Sequence, residues 1–158
     1  MNSRWNEARG LFLVYNVSTI ALVLTMSIYS SYLTWWWQNV EPTPYLNYNE
    51  WKSYYFGFLI MTILGIILFV WSILVLIGYL MNGGLFSEGF DTYVNFSVIV
   101  HAVFLLIPLL TMWISKVIDS LFIIWMIWVV INIIMGLVLS GYFGRRVDTN
   151  VGLIDVRA

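Results

Sequence analysis

The sequence predicts an all-α integral membrane protein in which four transmembrane helices form one bundle. Of the 158 residues, 61% are hydrophobic and only 9% are charged, whereas an average soluble domain has roughly 25% charged residues. The few charges are also unevenly spaced. Four long segments contain no Asp, Glu, Lys or Arg, and each is longer than the roughly 20 residues that a helix needs to cross the hydrocarbon core of a bilayer.

These segments place the spans near residues 11–36, 55–81, 93–114 and 120–143 of a single domain that covers residues 1–158. The first apolar segment is too long for the core of a signal peptide and is not followed by a small-x-small cleavage site, so we expect it to be retained as a helix. It contains 31 uncharged residues between Arg9 and Glu41. A helix of that length exceeds the thickness of the hydrocarbon core and has to tilt or to project into the headgroups.

The connections between the spans carry helix stop and start signals. Residues 38–53 include Pro42, Pro44, Asn47 and Asn49, which favour turns. Residues 82–84 read Asn-Gly-Gly, a typical helix end, and Asp91 with Thr92 suits the N-cap of the third helix. The third connection, residues 115–119, is very short, and Asp119 can cap the fourth helix. We therefore expect the third and fourth helices to form an antiparallel hairpin. The tail at residues 147–158 would be disordered in isolation, so we expect a partner protein to hold it.

Aromatic residues crowd the first connection. Trp35, Trp36 and Trp37 end the first span, and Trp51 precedes the second. Because indole rings prefer the headgroup region of a bilayer, this pattern predicts a membrane-interface belt rather than an aromatic ligand cage.

The distribution of basic residues predicts that both termini are cytoplasmic. One side of the predicted bundle collects five arginines, namely Arg4, Arg9, Arg145, Arg146 and Arg157. The other side has only Lys52 and Lys116. Cytoplasmic loops of membrane proteins carry the excess of Lys and Arg, so we expect a multi-pass protein of the cell membrane. Arg145 and Arg146 directly follow the fourth span, where they suit anionic headgroups.

Small and polar residues recur along one face of each predicted helix. The four faces comprise Asn16, Thr19, Ser27, Ser30 and Thr34; Met61, Gly65, Ser72 and Tyr79; Ser97, His101, Pro108, Thr111 and Ser115; and Trp125, Trp128, Asn132 and Gly136. Between membrane helices, small residues permit close approach and polar residues form interhelical hydrogen bonds. The faces therefore predict the inner seam of a compact bundle, in preference to the lining of a polar pathway.

His101 is the only ionisable side chain within the predicted spans apart from tyrosines, and an intramembrane histidine is by default a candidate functional residue. It follows Ser97 by one helical turn on the same face. Three roles are open: a hydrogen bond to Ser97 or Asn132, contact with a quinone or a lipid headgroup, or ligation of haem. Bis-histidine haem ligation needs two histidines, and the chain has one. The hydrogen-bonding role is favoured.

Several function classes are disfavoured by composition. The chain has no cysteine, which removes disulfides, thiolate metal sites and cysteine nucleophiles. We find no catalytic or metal-binding motif. The net charge of −1 and the lack of a basic patch give no reason to expect nucleic acid as a partner. We expect no resident cofactor other than a bound lipid or quinone.

The leading hypothesis is a non-catalytic structural or accessory integral subunit of a larger membrane protein complex, such as a respiratory or other redox assembly. Its partners would be other integral membrane subunits and the lipid bilayer. One alternative is a quinone- or haem-contacting anchor subunit that uses His101 with Ser97 and Asn132. Others are a small channel or transporter along the polar faces and an envelope scaffold. The lack of Asp, Glu, Lys and Arg within the spans weakens ion and proton transport, but not a channel for a neutral solute.

Overall fold

The chain folds into four long α-helices. A computed structural model describes residues 3–39, 48–81, 88–115 and 120–155, which correspond to α1 (Ser3–Asn39), α2 (Tyr48–Met81), α3 (Glu88–Ser115) and α4 (Ser120–Asp155). Each helix contains a window that is long and apolar enough to cross a membrane, and these windows are Arg9–Trp36, Tyr55–Met81, Gly89–Trp113 and Ser120–Tyr142. Their ends lie within four residues of the spans proposed from the charge-free segments.

The helices form a ring in which each one packs against two neighbours. α1 packs against α2 and α4, and α3 packs against the same two helices. The pairs are antiparallel: Asn16 of α1 lies next to Ser72 of α2, while Ser27 lies next to Gly65. The expected α3–α4 hairpin is present. Consequently the first residues of α1 and the last residues of α4 lie at the same end of the bundle.

Three helix ends differ from the sequence-based expectations. α2 begins at Tyr48 rather than after residue 53. Asn49 therefore lies in the first turn, where the backbone N–H groups make no intrahelical hydrogen bonds, so an asparagine there does not interrupt the helix. α3 begins at Glu88, so Asp91 is not an N-cap. It lies one turn into the helix, near the positive end of the helix dipole, and its Oδ1 accepts a hydrogen bond of 3.1 Å from Asn95.

The third difference is at the end of α4. Residues 147–155, which would be disordered as an isolated tail, continue α4 as a helix to Asp155. No proline interrupts this stretch, so continuing the helix supplies partners for its backbone groups. The expected turn at residues 82–84 and the Asp119 cap lie outside the described residues.

Three of the helices are much longer than a bilayer requires. α1, α2 and α4 contain 37, 34 and 36 residues, which corresponds to about 50–55 Å at 1.5 Å per residue. The hydrocarbon core of a bilayer is only about 30 Å thick. The expectation that the first helix is over-long is thus met, and α2 and α4 behave in the same way. Helical ends therefore extend beyond the apolar windows at both ends of the bundle.

The faces picked out by small and polar residues are the ones that the bundle buries. Asn16, Thr19, Ser72, Ser97, His101 and Asn132 are each 0% exposed. The opposite faces are apolar and open: Ile28, Leu74, Ile99 and Ile124, one from each helix, are 61–63% exposed. A helix with one polar, buried stripe and a remainder of exposed aliphatic residues suits a bundle whose outer surface faces lipid.

Buried aromatic rings pack against one another on both sides of the middle of the bundle. Near the chain termini, the ring of Phe12 stacks on that of Phe90 with centroids 4.8 Å apart, and Tyr79 packs against both rings. Towards the other end, Tyr29 packs edge-on against Trp125 at 4.8 Å. Aromatic pairs in these geometries each contribute about 0.5–1.5 kcal/mol beyond their burial.

The proposed interface belt is described only in part. Trp35 and Trp36 are 59% and 41% exposed at the end of α1, and at the same end of the bundle the Lys52 ammonium lies 5.8 Å from the Phe56 ring centroid. Trp37, Trp51, Arg145 and Arg146 lie on α1, α2 and α4, but their side chains are outside the described part of the structure. Their roles in the belt and at the headgroups stay predictions.

Candidate functional site

The candidate site is a hydrogen-bonded network of buried side chains at the centre of the bundle, built around His101 of α3. The imidazole Nδ1 lies 2.6 Å from the Ser97 carbonyl oxygen, one turn earlier on the same helix. The other ring nitrogen, Nε2, lies 3.1 Å from Nδ2 of Asn132 on α4. The structure thus brings together the three residues that the sequence analysis had grouped.

The partners of His101 determine its tautomer. A carbonyl oxygen only accepts hydrogen bonds, so Nδ1 carries a proton and donates it to Ser97. In the neutral imidazole, Nε2 is then an acceptor and receives the N–H of Asn132. This fixes the orientation of the Asn132 amide, whose Oδ1 faces α1.

The network continues from Asn132 to α1 and returns to α4. The Ser18 hydroxyl donates to Asn132 Oδ1 at 2.7 Å, and the Trp128 indole N–H donates to Ser18 Oγ at 2.8 Å. Because indole is only a donor, every bond runs in one direction, from Trp128 through Ser18, Asn132 and His101 to the Ser97 carbonyl. A chain aligned in this way is consistent with a neutral, fully paired histidine.

Tyr15 connects this network across the diagonal of the bundle. Its hydroxyl lies 2.6 Å from Ser97 Oγ, which joins α1 to α3, two helices that are not neighbours in the ring. Gly136 of α4 leaves the room for the tyrosine ring, since a Cβ at that position would lie 3.2 Å from Tyr15 Cε2. Gly136 on α4 and Tyr15 on α1 are therefore complementary in size.

A second buried network joins α1, α2 and α3. Asn16 Nδ2 donates to the Ser72 carbonyl at 3.2 Å and to the Tyr93 hydroxyl at 3.0 Å. The Tyr93 hydroxyl also lies 2.9 Å from Ser72 Oγ. Since Asn16 follows Tyr15 directly, the two networks meet on the same turn of α1.

The geometry of His101 bears on the cofactor hypotheses. An axial haem ligand needs an imidazole nitrogen free for the metal, and a histidine that hydrogen-bonds a quinone carbonyl needs an N–H to donate. In the structure, Nε2 is engaged by Asn132 and the Nδ1 proton by the Ser97 carbonyl. His101 is thus equipped to tie α3 to α4. Among the described residues there is also no group of three or more His, Cys, Asp or Glu side chains that could hold a metal ion.

A groove on the outer surface of the bundle is the other notable feature. It has a volume of about 360 Å³ and lies between α1 and α2, lined by Leu24, Ser27, Ile28, Ser31, Thr62, Ile66 and Phe69. The Thr62 hydroxyl donates to the carbonyl of Phe58. Ser27 Oγ is buried and has no hydrogen-bond partner among the described residues. Hydroxyl groups therefore line a groove on a surface that is otherwise aliphatic.

Sequence reasoning missed three members of the networks. Tyr93 lies one turn before Ser97 and could have been added to the polar face of the third helix by spacing alone. Tyr15 and Ser18 lie beside the polar face of the first helix, and their roles depend on which helices are neighbours.

Searches among known protein families, characterised proteins and solved structures give no match to this chain.

Proposed function

We propose that this chain is a non-catalytic accessory subunit of a larger membrane protein complex, a multi-pass protein of the cell membrane that holds partner helices in place. The observation that carries this proposal is the hydroxyl-lined groove between α1 and α2. The occupant we assign to it is a transmembrane helix of a different subunit.

The chemistry of the groove favours a helix over a lipid chain. Ser27 packs against Gly65 of α2, and Ser31, one turn further along α1, is a small residue in the groove that lets a second backbone approach closely. Ser31 is exposed, and an acyl chain offers its hydroxyl no hydrogen-bond partner, whereas polar side chains of a partner helix do. The groove thus has the features of an unpaired helix-packing surface.

The shape of the groove argues against a second copy of the same chain. A two-fold dimer places the same patch of both copies against each other. Two concave grooves in contact leave a void between them, which loses packing contacts. A convex helix from another subunit fills the groove, so a hetero-oligomeric contact is the better match.

The bundle core supports a structural role. The polar side chains of α1, α3 and α4 are bonded to one another, and aromatic rings fill the centre on both sides of them. This arrangement favours a rigid scaffold over a polar pathway for solutes. Both ring nitrogens of His101 are engaged, so this residue adds no support for a redox assembly.

We also propose that both chain termini are cytoplasmic. The first residues of α1 and the last residues of α4 lie at one end of the bundle, and these helix ends carry Arg4, Arg9, Arg145 and Arg146. The excess of basic residues on the cytoplasmic side of membrane proteins supports this orientation. The long ends of α1 and α4 then project into the cytoplasm, where they offer further contacts to partners.

Site-specific photocrosslinking tests the assignment of the groove. We expect a photoreactive amino acid at position 31 to form a covalent adduct with one other integral membrane protein in the native membrane. The matched control is position 102, an exposed alanine on the outer face of α3, where we expect no discrete protein adduct. The adducts are resolved by electrophoresis and identified by mass spectrometry.

Each alternative occupant has its own result in this experiment. An adduct between two copies of this chain at position 31 would show a homo-oligomer, and adducts with lipid alone would show an acyl-chain groove. Either result contradicts the proposed hetero-subunit contact. A protein adduct of equal yield at position 102 would also contradict it, because the groove would then not be special.

A further inference from the structure

Two fully buried polar atoms at the point where the networks meet have no hydrogen-bond partner among the residues that the structure describes. They are Asn16 Oδ1 and Thr19 Oγ1, and both residues are 0% exposed. Buried polar groups in folded proteins are nearly always paired with protein atoms or with ordered water. Because the two residues are three apart on α1, their side chains are neighbours on one face of the helix.

Thr19 differs from other threonines of the bundle. Thr25, Thr34, Thr62 and Thr111 each donate to the carbonyl of the residue four positions earlier. Such a bond is the ordinary way for a hydroxyl to be satisfied within a membrane helix. Thr19 makes no bond of this kind. Tyr15 precedes it by one helical turn on the same buried face of α1.

We propose that one ordered water molecule is bound here, between Asn16 Oδ1 and Thr19 Oγ1. The amide oxygen only accepts hydrogen bonds, so the water donates to it, and the Thr19 hydroxyl is its second partner. The third contact that we assign to this water is the hydroxyl of Tyr15, one turn before Thr19, which matches the two to four partners that a buried water usually has. The adjoining groups are neutral amides and hydroxyls, a set that suits water rather than a cation.

This water would join the two networks into one. The first network links α1, α3 and α4, and the second links α1, α2 and α3. A water shared between them makes a single hydrogen-bonded system that connects all four helices at one level of the bundle. The inference concerns the core and is independent of the groove and of its proposed partner.

Replacing Thr19 with valine tests the site, because valine keeps the shape and removes the hydroxyl. If water is bound, T19V removes one of its partners, and we expect the melting temperature in detergent to fall by about 2–4 °C. If the site is dry, the same change removes an unsatisfied hydroxyl and raises the melting temperature. The matched control is T25V, which removes only bonds to the same helix and is expected to change the melting temperature little.

A direct measurement on the unmodified protein accompanies this one. In a sample with labelled threonine methyl groups, a bound water gives a cross-peak between the water resonance and the Thr19 methyl, with the sign of a long-lived contact. The proposal requires both this cross-peak and the destabilisation of T19V relative to T25V. Absence of the cross-peak, or a T19V variant at least as stable as the unmodified protein, overturns it.

Discussion

Replacing His101 with alanine is expected to lower the free energy of unfolding by about 2–4 kcal/mol. A single interhelical hydrogen bond in a membrane protein contributes only about 0.6 kcal/mol on average. Most of the loss therefore comes from the cavity that the imidazole leaves and from Asn132 Nδ2, which loses its acceptor. Unfolding by SDS titration in mixed micelles measures this change.

His101→Gln provides the control for this experiment. A glutamine carbonyl can accept the Asn132 N–H in place of Nε2 and fills much of the same volume, so we expect H101Q to retain about half of the stability that H101A loses. Equal losses in the two variants would show that the Asn132 bond contributes nothing. A variant that stays fully stable but loses haem absorption or quinone-linked activity of its native membrane would instead restore the cofactor hypothesis for His101.

The second large effect is expected at Gly136, a buried residue of α4 that packs against Val98 of α3 and Tyr15 of α1. An added Cβ would lie 2.5 Å from Val98 Cγ2 and 3.1 Å from the Tyr15 hydroxyl oxygen. The Val98 side chain is stiff at χ1 and cannot easily rotate away. The backbone of α3 or α4 therefore has to shift to accommodate the added Cβ. We expect G136A to be destabilised by about 1–3 kcal/mol, the usual range for overpacking a well-filled core.

Gly141, about one and a half turns further along α4, provides the matched control for G136A. A Cβ at Gly141 meets no atom within 4 Å. Because alanine is favoured over glycine in a helix by about 1 kcal/mol, G141A is expected to be neutral or slightly more stable. If the two variants behave alike in SDS titration, close packing of α4 against Val98 and Tyr15 is not what stabilises this region.

Two features of the sequence were enough to predict most of the fold that was correctly predicted. They are the charge-free segments and the helical period of about 3.6 residues. Each segment is long enough to cross a bilayer, so the presence of four apolar helices followed from length alone. The pairing of Ser97 with His101 followed from their spacing of one turn. The helix ends were harder, since the backbone outside lipid can bond to water, and polar residues such as Asn49 do not by themselves stop a helix.

The diagonal contact between Tyr15 and Ser97 could not be predicted from periodicity. Spacing places residues on a face of one helix, but it does not say which helix lies opposite. The contact depends on a ring arrangement in which Gly136 makes room for the Tyr15 side chain. The groove could not be predicted from the sequence for the same reason, because it depends on a gap that α1 and α2 leave beside Ser31.

Extraction from the native membrane in a mild detergent tests whether this chain is an accessory subunit of a larger complex. The extract is separated by size, and every chain that co-migrates with this one is identified and quantified by mass spectrometry. The account predicts at least one other integral membrane protein in fixed stoichiometry, retained through a second separation. A chain that migrates alone, or only with copies of itself, would contradict it.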